Sequence, residues 1–175
     1  MKSSPSLVLF DRDGTLNVDR GYTHKPEDLI WLAGAREAVR LVNEHGSFAV
    51  VVTNQAGIGR GLYDEAAMHR FHQHMQHDLE TIGARIDAFY FCPFHADAVI
   101  ERYRHANHPE RKPNPGMVLA ALRDFDVDRQ HAVLIGDQQA DLEAAAAAGI
   151  VGVTANGEPL DAIVRNVLHR LKPPD

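Results

Sequence analysis

The chain has 175 residues, with 24 acidic against 18 basic side chains and a formal charge of −6 when its 11 histidines are neutral. That balance, with no Lys/Arg-rich run, excludes nonspecific attachment to nucleic acid or to an anionic membrane, so any anionic ligand must meet positive charge locally. With 45% apolar and 24% charged residues the chain is neither disordered nor fibrous, and its length fits one domain over residues 1–175, with about 1–5 and 172–175 expected to fray.

Leu7 to Phe10 is a short apolar run, read as a buried strand, that breaks into Asp11-Arg12-Asp13-Gly14-Thr15. Gly34 to His45 carries Ala35, Ala38, Val39 and Val42 on one helical face, and Gly46 stops it. Phe48 to Val52 reads as a second strand, followed by the glycine-rich stretch Thr53 to Gly61. From Asp64, an N-cap residue type, the spacing of Met68, Phe71, Met75, Leu79 and Ile82 predicts an amphipathic helix. Ile86 to Phe91 reads as a third strand, and Cys92 to Arg111 as a loop rich in His and Pro. Asn114-Pro115 opens a helix with Pro at its first position. His131 to Ile135 is a fourth strand ending in Gly136-Asp137. The alanine-rich helix to Ala148, a strand from Ile150 to Val153 and a helix from Leu160 to Leu171 complete the chain. Alternating apolar strands and helices imply a parallel sheet covered on both faces, with ligands at the carboxyl ends of the strands. The single cysteine, Cys92, excludes an internal disulfide. The opening residues are too short and polar for a signal peptide, and no apolar run reaches the roughly 18 to 20 residues of a membrane span. The reading is a cytoplasmic protein, monomeric, with no membrane or nucleic-acid partner.

Asp11 and Asp13 stand two apart just beyond the first strand, where an extended backbone points both side chains to one side. Such a pair can divide labour, one attacking phosphorus and the other moving the proton, or can be a turn and cap cluster. Asp137 and Asp141 form Gly-Asp-x-x-x-Asp after the fourth strand. Asp137 is read either as a ligand to a metal shared with Asp11 or as a helix N-cap, and hard oxygen donors of this kind suit Mg²⁺. Thr53, Asn54 and Lys112 can hold phosphoryl oxygens, Lys112 offsetting the repulsion between phosphate and carboxylate.

Asp11-x-Asp13-Gly14-Thr15, Thr53-Asn54, Lys112-Pro113 and Gly136-Asp137-x-x-x-Asp141, spread over nearly the whole chain, resemble the haloacid dehalogenase (HAD) superfamily of phosphatases. Gly21-Tyr22, the full Thr53 to Gly61 stretch and Arg111 to Met117 narrow the likeness to the subgroup of heptose-bisphosphate and histidinol-phosphate phosphatases. The resemblance implies a three-layer αβα sandwich on a mainly parallel, Rossmann-like sheet with no large cap domain. It also implies a Mg²⁺-dependent phosphomonoesterase acting on a small phosphorylated sugar. Asp11 would be the nucleophile and Asp13 the general acid/base, with Mg²⁺ on Asp11, the Asp13 backbone carbonyl and Asp137. Thr53 and Lys112 would steady the transferring group. Substrate contacts would fall on Asp19, Arg20, Gly21, Tyr22, Thr53, Asn54, Gln55, Ala56, Arg111, Lys112 and Gln138, with Arg60 and Arg20 adding to a cationic pocket.

Many members of this subgroup carry a zinc loop that is altered here. Phe94 stands at the position of a ligand histidine, and His108 and Glu110 replace two cysteines. A zinc-free loop is favoured over a substitute site on Cys92, His95, His105 and His108. His69, His72, His74 and His77 form i, i+3 pairs beside an apolar stripe and are read as solvated, and the run Ala144 to Ala148 as close helix-to-sheet packing. A receiver-like signalling module, which also uses Asp, Thr, Lys and Mg²⁺, would need its aspartate at the end of the third strand, where Phe91-Cys92-Pro93 stands.

Overall fold

The computed structural model describes residues 5–171. Of the ends expected to fray, 1–4 and 172–175 lie outside those residues, and Pro5 is half-buried before the first strand. Five strands, β1 (Leu7–Phe10), β2 (Phe48–Asn54), β3 (Ala88–Cys92), β4 (Ala132–Gly136) and β5 (Val151–Thr154), form one parallel sheet in the order β3-β2-β1-β4-β5. Among the described residues six α-helices accompany them: α1 (Ala35–Glu44), α2 (Ala56–Gly59), α3 (Glu65–Glu80), α4 (Gly116–Asp124), α5 (Gln139–Ala148) and α6 (Leu160–Arg170). No helix among the described residues is long and apolar enough to cross a membrane.

The period-two alternation of β1 sorts its side chains between two cores. Val8 and Phe10 pack with the α1, α3 and α6 residues Val39, Phe71 and Val164. Leu7 and Leu9 pack with Val118 of α4 and with Ala144 and Ala148 of α5. The three layers follow from this, with β1 fully buried at the centre of the sheet. Its register sets Phe10 opposite Val51 and Ile135, so β2 runs on to Asn54 while β4 stops within a residue of the end of β1. Asp11, the next residue, still donates its N–H to the Ile135 carbonyl at 2.9 Å.

Local chemistry sets the element ends. Asp64 caps α3 by accepting the Ala67 N–H at 2.7 Å, as its residue type predicts. Pro115 is the residue before α4 rather than its first helical residue. The third strand begins two residues later than the apolar run implied. Ile86 instead gives its N–H to the Gln76 side chain, and the Asp87 carboxylate takes the Ala49 N–H, so pairing starts at Ala88 opposite Val50. The glycine-rich stretch after β2 winds into the single turn of α2.

The alanine run of α5 lets that helix lie close against the sheet. Ala144, Ala145 and Ala148 are buried, and a Cβ added to Gly152 of β5 would sit 3.2 Å from the Ala145 Cβ. Replacing Ala145 with Leu overpacks this seam and is expected to lower stability by about 1–3 kcal/mol in urea unfolding, whereas Ala146→Leu, on the exposed side of α5, should change it little.

Candidate active site

The central feature is the ammonium of Lys112. It donates to Asp11 Oδ1 at 2.7 Å, to Asp141 Oδ1 at 2.7 Å and to the Val52 carbonyl at 2.9 Å. All three of its hydrogens are therefore used, and the side chain is 3% exposed. Burial opposes the lysine's charge, but attraction to the two carboxylates outweighs it and holds the pKa above the ordinary lysine value. The backbone of Lys112 is fixed by a reciprocal pair with Asn54, whose side-chain amide donates to the Lys112 carbonyl at 3.0 Å and accepts its N–H at 3.1 Å. Asn54 also lines the cleft.

Asp11, Asp137 and Asp141 bring carboxylate oxygens within 4.8 Å of one another. Burial pushes the Asp11 carboxyl up to about 7, with Lys112 pulling it down and Asp141 adding to the rise. Two glycines permit the approach. Gly14, at φ +83°, would place a Cβ 2.3 Å from Asp137 Oδ2, and a Cβ on Gly136 would sit 2.3 Å from Asp141 Cγ. Asp137 is not the cap of α5. That position belongs to Gln138, whose N–H is taken by Asp141 Oδ2 at 3.0 Å. One Asp137 oxygen accepts from the Gln138 side chain at 2.8 Å, and the other is buried without a partner. Three clustered carboxylates, two of them bonded to one ammonium and the third carrying an orphaned hard oxygen, have the charge and donor type that a small divalent cation such as Mg²⁺ requires.

Asp13 is ringed by donors. Arg12 reaches it through Nε at 3.2 Å and Nη2 at 3.0 Å, Asn17 Nδ2 at 3.0 Å and Gln55 Nε2 at 3.1 Å. Gln55 also donates to the Thr53 hydroxyl at 2.8 Å and accepts from the Tyr63 hydroxyl, while the Tyr63 ring stacks on His24 at 4.3 Å. Thr53 is thus buried beneath Gln55 and does not line the cleft. The cleft, about 350 Å³, runs from Asp11, Asp13, Lys112, Ala56 and Gln138 outward to Asp19, Gly21 and Tyr22. Arg60 and Arg111 make the outer wall cationic, with His95 among its lining. Asp19 closes its own turn by accepting the Gly21 N–H at 2.8 Å, and Tyr22 sits at φ +56°, a left-handed conformation uncommon for a large side chain and often found at functional sites. Arg20 is turned away toward Asp28, 3.8 Å distant, so the structure does not bring it into the pocket.

The Cys/His loop is organised otherwise than as a ligand cluster. His95, His105 and His108 each use Nδ1 to accept a backbone N–H two residues on, from Asp97, Asn107 and Glu110. His108 stacks on Phe94 at 3.8 Å with a 6° interplanar angle, and Cys92 is buried. Among the described residues these four side chains do not converge on one point.

On α3, His69, His74 and His77 are exposed as expected, but His72 is buried. It stacks on Phe89 at 4.3 Å and lies 3.1 Å from Arg12 Nη1 through its Nε2. A guanidinium only donates, so Nε2 is the acceptor. Arg12 and His72 are the functional neighbours missed in the sequence. Arg12 stands between two aspartates and would pass for surface charge, whereas the 4-3-4 spacing of Met68, His72, Met75 and Leu79 places His72 on the buried stripe.

A parallel sheet that delivers a buried carboxylate, a lysine bridging it to a second carboxylate and a divalent-cation cluster to one edge defines a HAD-like phosphoric monoester hydrolase. The HAD-hydrolase-like family profile matches residues 110–158. The chain is 40% identical over 165 residues to the D-glycero-beta-D-manno-heptose-1,7-bisphosphate 7-phosphatase of Rhodopseudomonas palustris, covering 94% of this chain and 91% of that one. It is 43% identical over 143 residues to the D-glycero-alpha-D-manno-heptose-1,7-bisphosphate 7-phosphatase of Burkholderia mallei, covering 82% and 75%. The crystal structure of D,D-heptose 1,7-bisphosphate phosphatase from B. bronchiseptica, complexed with magnesium and phosphate, superposes with a TM-score of 0.82 at 29% identity over 94% of this chain and 98% of that one. The chain belongs to the D-glycero-D-manno-heptose-1,7-bisphosphate 7-phosphatase family of the HAD superfamily.

Burial, with help from the Arg12 and His69 charges, pushes the pKa of His72 down from 6.5 to about 2. The unfolded chain therefore binds a proton that the folded chain refuses, so this contribution is complete above pH 6.5 and is lost as pH falls from there toward 2. Urea midpoints at pH 7 and pH 5 should show the wild type losing up to about 1.4 kcal/mol more per pH unit than His72→Gln. Equal losses in the two proteins would contradict the buried neutral histidine.

Proposed function

We propose that this enzyme removes the 7-phosphate of D-glycero-D-manno-heptose 1,7-bisphosphate with Mg²⁺, by way of a phosphoryl group held covalently on Asp11. The observation that carries the chemistry is the 2.7 Å contact of the buried Lys112 ammonium with Asp11. That contact holds the carboxylate in place and supplies positive charge where phosphoryl oxygens would approach it. The names of the relatives supply the substrate class, and Arg60 and Arg111 on the outer wall of the cleft suit the phosphate that does not react.

Asp11 attacks phosphorus and the bond to the sugar oxygen breaks, while Asp13 gives its proton to that departing oxygen. Water then attacks the same phosphorus and yields its proton to Asp13. The bond between phosphorus and the Asp11 oxygen breaks, releasing inorganic phosphate and restoring both aspartates. Asp11 and Asp137, with the Asp13 carbonyl, would hold Mg²⁺, which when bound neutralises phosphoryl oxygens that would otherwise repel the carboxylate. Arg12 holds the Asp13 carboxyl by a 3.0 Å contact from its guanidinium. Gln55 and Asn17 orient the same group.

With Mg²⁺, kcat/KM should be higher for heptose 1,7-bisphosphate than for histidinol phosphate, and EDTA should abolish turnover of both. Asp11→Asn should lower kcat by at least about 10³-fold. A clear preference for histidinol phosphate would overturn the substrate assignment, and unchanged turnover in Asp11→Asn the covalent one.

A further inference from the structure

The α3 histidine has no place in the chemistry above, yet it is joined to it by one side chain. Arg12 is wholly buried, with its guanidinium over the Phe71 ring at 4.6 Å. Its nitrogens divide their work. Nε and Nη2 face Asp13, Nη2 also reaches the Thr23 carbonyl, and Nη1 is left to His72 Nε2 at 3.1 Å. The acceptor on Nη1 completes the contacts that set the guanidinium plane, beside the Asp13 bonds, the Thr23 carbonyl and the Phe71 ring. Without it a buried donor is stranded, and a small shift of the guanidinium that relieves this cost carries with it the donors that hold Asp13. His72 is itself held by its stack on Phe89 of β3, so sheet and helix together aim the group.

We propose that His72, through Arg12, is a positioning residue for Asp13, setting the direction from which its carboxyl meets the departing oxygen. The proposal rests on the assignment of Asp13 as proton donor. It needs a neutral acceptor at position 72 rather than an imidazole as such.

The test uses leaving groups that differ in their need of a proton. An alkyl or sugar phosphate expels an alkoxide that must be protonated, whereas p-nitrophenyl phosphate expels a phenolate that leaves without one. His72→Phe keeps a ring against Phe89 and removes the acceptor. It should lower the pre-steady-state rate of leaving-group release, the half-reaction that puts the phosphoryl group on Asp11, by about 10- to 100-fold for the sugar phosphate, part of what general acid catalysis contributes, and leave that rate within about threefold for the aryl phosphate. The later attack of water, which also uses Asp13, is common to both substrates and lies outside this readout. His72→Gln, which restores an acceptor, should recover the sugar phosphate rate to within about threefold. His72→Asn, smaller and polar, carries the removal arm if the Phe variant does not fold. Equal losses on both substrates, or no loss on either, would overturn the proposal. Asp13→Asn is the reference. If it fails to discriminate between the leaving groups, the proton-donor assignment falls and the proposal with it. If it discriminates and the removal arm does not, that assignment stands and the role of His72 is wrong.

Discussion

An ammonium buried between two carboxylates and a carbonyl is the constraint on which the rest of the site depends. Lys112 joins parts of the chain that are far apart in sequence: Asp11 after β1, Val52 within β2 and Asp141 in the first turn of α5. A buried charge without partners costs several kcal/mol, so each of these groups must be in place for the lysine to be there at all. The Asn54 clamp on its backbone and the Gln138 N–H on Asp141 serve the same arrangement. Two glycines let the acidic groups crowd around it. The crowding leaves more negative charge than the lysine can balance, which suits the site to a divalent cation.

Around this centre the polar groups are arranged in two tiers. Asp11 and Asp137 belong to the cluster at the strand ends, whereas Asp13 stands apart in its own ring of donors. The separation gives two carboxylates of one short motif different surroundings, and different surroundings permit different roles. The outer wall adds Arg60 and Arg111, so an acidic chain presents cationic side chains where a doubly phosphorylated sugar would enter. The overall charge of −6 is thus a property of the surface as a whole, with part of its acidity gathered in the site.

The strands were legible because a buried parallel sheet writes continuous apolar runs, and polar motifs fell where those runs stopped. Asp11 and Asp137 can be placed together on that ground, whereas Lys112, in the loop before α4, is reached only through its residue type and the family likeness. What could not be read was the use to which a polar side chain is put. That the Thr53 hydroxyl accepts from Gln55 and the Asn54 side chain clamps the Lys112 backbone is not written in their residue types. Asp137 could have been a cap, but Gln138 takes that position. Arg20 has a carboxylate nearer than the cleft. His72 is masked by three exposed histidines around it in sequence, and although its spacing from Met68, Met75 and Leu79 puts it on the buried stripe, only the fold gives its partners Phe89 and Arg12. Pairings between elements distant in sequence carry no local signature, so they stay invisible until the fold brings them together.

The most direct test of the account is chemical trapping of the phosphoryl group during turnover. Borohydride reduces an acyl phosphate to the alcohol, so enzyme quenched with it while hydrolysing substrate should yield homoserine in the peptide that carries position 11, and only when substrate and Mg²⁺ are both present. Turnover that leaves this peptide unaltered while another residue is reduced would contradict a covalent role for Asp11, and with it the purpose assigned to the buried lysine.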